Sequence, residues 1–499
     1  MRWPAPIERP LARARWALLL GGWGLSTWLS PALSQSPSPT RLRPQAVEAL
    51  PGALDATPVL NDNNPELIVS PGILLSTFQG GSRLGARTLA GPEAHLNAPQ
   101  TGTFELFSHH VYAGKPDTLA STLWLAVVAA PRGSQPVRLR LLAGSTALSQ
   151  SVDGNDPQAP FLPLPPLMPQ GLTPVWAGPG SRVATELLLR LPPAQRSWPE
   201  SWTLPPGTLT PLVVLPLPVR GLDPLLNGRN LQLRFSGDGP VDLATLAAFG
   251  PEGAPPSPEV WAEILAGALS PKEHAPTPRG AAGRIVYSRV SGVQRGATWT
   301  ARLTDPGQPT FSASRAPISW PIASLERGTL GTGQVQTAEL SAFYPGTAWA
   351  AHGNYGVTYA ITLPLRNDTP RPLRLSLAFE SPLKSDAPQG GLRFRGTPLS
   401  EGPGTGGPVM FRGTVEVSGL DGPTGRPAGR QAFHLVQRAG QEGPPLGTIT
   451  LAPGAVRQLQ VRLIYPADAT PPQVLSLLPL ASSPRAVKQS PVRPPSPDP

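Results

Sequence analysis

The chain has 499 residues, 39% hydrophobic and 14% charged, which excludes a coiled coil and a charge-driven disordered chain. Its 52 glycines and 69 prolines fall between alternating apolar runs, where they punctuate strands and exclude long helices. The lack of cysteine removes disulfides, thiolate metal sites and cysteine nucleophiles, and arginine supplies nearly all of the formal +10 charge.

Met1 to Ser34 has the grammar of a secretory signal: Arg2, Arg9, Arg13 and Arg15 lead into an apolar stretch from Trp16 to Leu29. Ala32 and Ser34 suit signal peptidase, so the mature chain is expected to start near Gln35. The signal carries +3 of the charge, leaving about +7 on the remainder. No later run of 18 uninterrupted apolar residues predicts a membrane span. No basic run interleaved with aromatics points to nucleic acid.

Gln35 to Pro44 reads as a Ser/Pro linker, and Asn61 to Asn64 as a polar turn between short strands. Thr122 to Leu142 then gives an apolar run, a Pro/Gly turn and a strictly alternating strand. Val137, Leu139 and Leu141 fall on one face, Arg138 and Arg140 on the other. Asp153 to Pro179 is a long Pro-rich loop, of the kind that is functional or wraps a surface. Leu204 to Pro218 opens L-x-P-G before a buried strand.

The clearest helix is Ser257 to Leu269, with Ser257 as N-cap, Pro258 at the first helical position and Glu259 in the first turn. It is read as part of a connector between two halves, docked on a sheet. Thr358 to Phe379 repeats the strand–turn–strand text, and Leu451 to Pro466 repeats the L-x-P-G strand. Two shared features in the same order suggest a duplication or two sandwiches with one grammar.

The expected fold is all-β: two β-sandwich-like halves joined by a short helix-containing linker. Its boundaries are a signal peptide (1–34), a linker (35–42), a first half (43–253), a helix and Pro-rich connector (254–283), a second half (284–480) and a disordered Pro-rich tail (481–499).

Candidate chemistry is sparse. His95, His109 and His110 lie near Glu93 and Glu105, but adjacent histidines on a strand face opposite ways, and no HExxH exists. Asn61–Asn64 and Asp153–Asp156 lack calcium-loop spacing. Gly80-Gly81-Ser82-Arg83-Leu84 lacks the last glycine of a nucleophile elbow, and the Leu330 LGTGQ string lacks a following helix. Glu200 stands between Trp198 and Trp202, where a sugar could stack or a core could be plugged. No catalytic, cofactor-binding or metal residue is assigned, and no cofactor is expected.

Several strings together resemble a cyanobacterial family, the domain of unknown function 3370. They include RPQAVEALPGALDATPVLNDNNPE from Arg43, FSHHV from Phe107, VWAGPGSRV from Val175, LPVRGLDPLLNGRN and LERGTLGTGQVQ. AHGNYGVTY, MFRGTVEV, HLVQR and YPADATPPQVL extend the likeness to about Leu478. The resemblance implies an exported protein of the periplasm or cell envelope, and it brings no activity. The expected role is a non-enzymatic structural or protein-interaction component whose partner is an envelope protein or a cell-wall glycan. The alternative is a glycan-binding module, with a glycan-cleaving enzyme behind it.

Overall fold

A computed structural model describes residues 39–480 except 115–120, 152–157, 172, 193–197, 252, 273, 284, 287 and 396–406, and except the side chains of 64–66 and 121. The described chain is mostly strand, with two α-helices, α1 (Pro179–Leu189) and α2 (Pro258–Ala266). The expected all-β class is the observed one.

In chain order the strands before α1 are β1 (Thr40–Pro44), β2 (Ala46–Val47), β3 (Ala53–Leu54), β4 (Pro58–Leu67), β5 (Gly72–Ser76), β6 (Gln100–Ala113), β7 (Ser121–Pro131) and β8 (Val137–Leu148). Between the helices run β9 (Ser201–Leu204), β10 (Thr210–Leu217) and β11 (Leu226–Pro251). After α2 come β12 (Val290–Arg295), β13 (Thr298–Arg302), β14 (Ile318–Ile322), β15 (Leu340–Phe343), β16 (Thr358–Arg366) and β17 (Leu373–Glu380). The chain continues with β18 (Gly391–Arg395), β19 (Val409–Ser418), β20 (Gln431–Arg438), β21 (Pro445–Leu451), β22 (Val456–Ile464) and β23 (Gln473–Pro479). Arg83–Leu84, Arg87–Thr88, Leu167–Pro169 and Phe311–Ser312 form shorter pieces of strand.

The alternating strand behaves as its period dictates: Val137 and Leu139 are buried while Arg138 and Arg140 are exposed. Yet β7 and β8 do not pair with each other. Each pairs with the 26-residue β11, β8 along its first part and β7 along its second. The β6 register on β11 breaks between Gly237 and Val241, where β11 passes from one layer to the facing one. Phe104, Leu106, Leu233 and Phe235 thereby meet Val127, Ala129, Val213 and Leu243 in one core. Each such side chain contributes about 1.5–3 kcal/mol on burial. The strand–turn–strand text at Thr358 does the same thing. β16 lies in one sheet and β17 in the sheet facing it, across a core that includes Trp299, Tyr359, Phe379 and Leu477.

The likeness runs deeper than those two strings. One sheet of the first core is ordered β9–β8–β11–β6–β4, and one sheet of the second is ordered β21–β17–β23–β14–β2. In each, the last strand runs parallel to its neighbour: β4 to β6, and β2 to β14. In the facing layers β10 pairs with β7, and β22 with β16. The L-x-P-G strings occupy matching corners. Leu204 ends β9 opposite Val137, and Leu451 ends β21 opposite Leu373. Both cores follow one strand plan.

Their outer faces are covered differently. Trp261 and Leu265 of α2 close over Trp124, Ala126, Val128, Ala244 and Leu246, outside the first core. Outside the second, β1 pairs with β18, and the cluster there includes Leu392, Phe394 and Val474.

Strand pairing does not follow the linear division at 253 and 284. β1 pairs with β18 just outside the second core, and β2 and β3 pair with β14 and β13 of that core's sheets. In return β12 pairs with β4, and β15 with β12, which extends the first core's sheet. Thr40–Pro44, expected as linker, is therefore strand. So is Asn61–Asn63, expected as a turn. β4 is paired on both sides, and the buried Asn61 and Asp62 amide and carboxylate find side-chain partners rather than turn backbones. The signal segment, the tail and all of Asp153–Asp156 lie outside the described residues.

Candidate functional site at the joint between the two cores

Helix α1 starts where a Pro at N1 follows Gly178, whose φ of 89° suits glycine. No side chain of the local sequence caps it. Its cap arrives instead from far along the chain, where the Asp468 carboxylate accepts the Ser181 N–H at 2.6 Å. A negative charge at a helix N-terminus is favoured by the unpaired amides and the helix dipole.

Packed between the cores, α1 touches β8 and β11 on one side and β19 and β22 on the other. On the second core's side Ala184 and Leu188 pack on Ile464, and Thr185 Oγ1 bonds Thr414 Oγ1 at 2.7 Å. On the first core's side Glu186 accepts from Ser145 Oγ at 2.6 Å and is held by Arg182 at 2.7 Å. Beyond the helix, Phe107 stacks on Tyr355 and Gln232 Nε2 donates to the Gly356 carbonyl at 2.8 Å. The cores are joined by side chains as well as by the chain.

Around the N-terminus of α1 lies a group of side chains with shifted protonation. Burial pushes Asp468 up to about 6, against the Ser181 amide and Arg412, which favour its charge. Burial pushes His434 down to about 4, helped by Arg412, and its Nε2 accepts the Ala177 N–H at 3.2 Å. Arg412 is also lowered by burial, and the Phe161 ring lies 4.9 Å from its guanidinium. Arg182 covers Trp176 in the same way at 4.6 Å. Asp468, His434 and Glu186 are each turned onto another part of the joint. This arrangement ties the elements together.

The residues singled out in the sequence do not converge. His95 meets Ser76 Oγ at 2.7 Å, beside the Tyr344 hydroxyl that bonds the Ser76 and Ala94 backbone. His110 points into the first core and bonds Asp62 at 2.8 Å. His109, on the opposite face of β6, does not join it. Glu105 is claimed by Arg234 and by Gln232, and Glu93 folds back on the Gly91 amide. No cluster of three His, Asp or Glu suited to a metal ion occurs among the described residues.

Ser82 bonds the Gln79 carbonyl in a turn that leads into the short Arg83–Thr88 hairpin. Gln334 of the glycine-rich string pairs with both the amide and the carbonyl of Leu50, as a strand would. Trp198 and Trp202 pack on the rim of the first core. No described Trp or Tyr is exposed: Trp124, Trp261, Trp299 and Trp320 are buried and Trp176, Trp198, Trp202 and Trp349 half-buried.

Buried imidazoles give the fold a predicted acid sensitivity. Burial holds His95, His109 and His434 down to about 4 and His352 down to about 3. Unfolded, each titrates near 6.5. Below that pH the unfolded chain binds protons that the folded chain refuses, so stability falls as pH drops from about 6.5 toward 4. Asp468, Glu105 and Asp242 carry the opposite sign, because burial raises them and the folded chain takes up their protons first. The four imidazoles are expected to dominate above pH 5, so the thermal midpoint should drop between pH 7 and 5. A midpoint that stays level or rises would show the imidazoles reaching water.

Helix α1 was not anticipated. Its signals were Pro179 after glycine and the helix-forming run Ala184 to Leu189, without a local N-cap to announce them. The strings behind the family resemblance are brought together at this joint: VWAGPGSRV, MFRGTVEV, HLVQR and YPADATPPQVL supply Ser181, Arg412, His434 and Asp468.

No curated protein matches the chain. Among solved structures, the N-terminal CBM22-1–CBM22-2 tandem domain of Paenibacillus barcinonensis Xyn10C covers 84% of this chain and 100% of its own. It does so at 9% identity and a TM-score of 0.12, values that carry no structural argument. No described helix is long and apolar enough to cross a membrane. The family comparison is of another order: a single family model spans residues 45–479, nearly the whole described fold, and the chain belongs to the family "Protein of unknown function (DUF3370)".

Proposed function

We propose that the chain is an exported, non-enzymatic structural or protein-interaction component of the periplasm or cell envelope. The observation that carries this reading is the use of its aromatic side chains. Sugar-binding faces need exposed rings for stacking, and here the described Trp and Tyr rings are committed to cores, rims and arginine stacks. The joint supports it too, since two cores tied together by side chains suit a spacer or docking element. The signal grammar and the resemblance support the proposed location.

The test is co-sedimentation of the mature chain from Gln35 with purified peptidoglycan and envelope polysaccharide across a salt series, beside cross-linking in intact cells. The expected result is a discrete cross-linked protein adduct, with any glycan binding lost as salt screens the basic surface. Salt-resistant glycan binding without an adduct would favour the glycan-binding alternative. Release of soluble sugar would make the chain an enzyme and overturn the proposal.

A further inference from the structure

The first core has a polar layer at one end. His110 and Ser108 point inward from β6, Asp62 from β4, and Arg229 stands directly across from His110 on β11. Thr245 faces them from the second part of β11, in the opposite layer, where it pairs with Val127. Between these side chains is a cavity of about 10 Å³ whose wall is mostly apolar, Val127 and Leu215 among it, with Ser108, His110, Arg229 and Thr245 as its polar lining.

Two polar atoms at this cavity have no protein partner: His110 Nδ1 and Thr245 Oγ1. The other ring nitrogen of His110 is engaged by Asp62 at 2.8 Å. Each orphaned atom, if left so, costs the fold its desolvation. Wholly apolar cavities stay dry, whereas a space just large enough for one water that has polar groups on its wall holds a water bonded to two to four of them. The space admits nothing larger.

We propose that this cavity is a binding site for one buried water molecule, which bridges His110 Nδ1 to Thr245 Oγ1. The water can donate to a neutral ring nitrogen or accept from a protonated one, and the hydroxyl can take the complementary role. It completes a polar chain, Asp62–His110–water–Thr245, that links the β4–β6 layer to the β7–β11 layer through the core.

The test is Thr245→Val, which keeps the shape and removes the hydroxyl. If the water is bound there it loses a partner, and the urea midpoint should shift to lower concentration. If the cavity is dry, the change removes an unpaired hydroxyl from an apolar wall, and the midpoint should hold or rise. A level or raised midpoint overturns the proposal. A crystal structure of the full chain supplies a reading independent of stability. One solvent peak within hydrogen-bond distance of both His110 Nδ1 and Thr245 Oγ1 is expected. A flat map, or a direct His110–Thr245 bond, overturns it.

Discussion

Arg43→Met is expected to destabilise the fold by about 3–5 kcal/mol, the cost of stranding a buried charge. The stranded group is Glu380, whose side chain is wholly buried. Arg43 grips it with two guanidinium nitrogens, at 2.9 and 2.5 Å, and stacks over Phe394 at 4.5 Å. Ser476 Oγ at 2.5 Å and the Gly443 amide at 3.2 Å complete the carboxylate's partners. Hydroxyl and amide remain in the variant, but neither carries a charge. Adding Glu380→Gln to Arg43→Met should recover most of the loss, because a neutral amide no longer needs a cation. Urea unfolding of the single and double variants reads both numbers. A single-variant cost below about 1 kcal/mol, the range of exposed ion pairs, would show that water reaches Glu380 and sink the argument.

Gly180→Val is expected to prise α1 from the second core. A Cβ at position 180 would lie 2.7 Å from Ala467 Cβ, 2.9 Å from the Ala467 nitrogen and 3.0 Å from the Asp468 nitrogen. Two of these three neighbours are backbone and cannot rotate away. Overpacking of this kind costs about 1–3 kcal/mol, and here it falls on the segment that carries the Asp468 cap. The loss of stability should therefore come with a loosened joint, read as faster proteolysis near α1 and a larger radius of gyration in solution scattering. Gly171→Ala, in open space, is the control and should stay within about 0.5 kcal/mol. Equal behaviour of the two variants would mean that α1 does not hold the cores together.

The sequence made legible whatever depends on neighbours along the chain. Alternation placed Val137 and Leu139 inside and Arg138 and Arg140 outside, and the Ser257-Pro258-Glu259 start marked α2 to within a residue. Opposed histidines on one strand were legible for the same reason. What depends on partners far along the chain was not. Asp468 caps α1 from 287 residues away, so the helix has no capping side chain of its own to announce it. Asn61 and Asp62 look like turn residues until Gln294 and His110 are brought to them. The joint draws on four separate strings, and no one of them shows a site by itself.

The pairing of β1, β2 and β3 with the second core also sets an order of events in time. A chain that emerges amino end first releases Arg41 some 401 residues before Glu442, to which it is bonded. Those three strands have no edge to join until β13, β14 and β18 have emerged, between residues 298 and 395. Contacts this distant close slowly, and unpaired strands are prone to mispairing meanwhile. The first core has its main strands from β4 to β11 in hand much sooner. The earliest residues of the fold are thus among the last to be fixed, and they act as the latch that closes it.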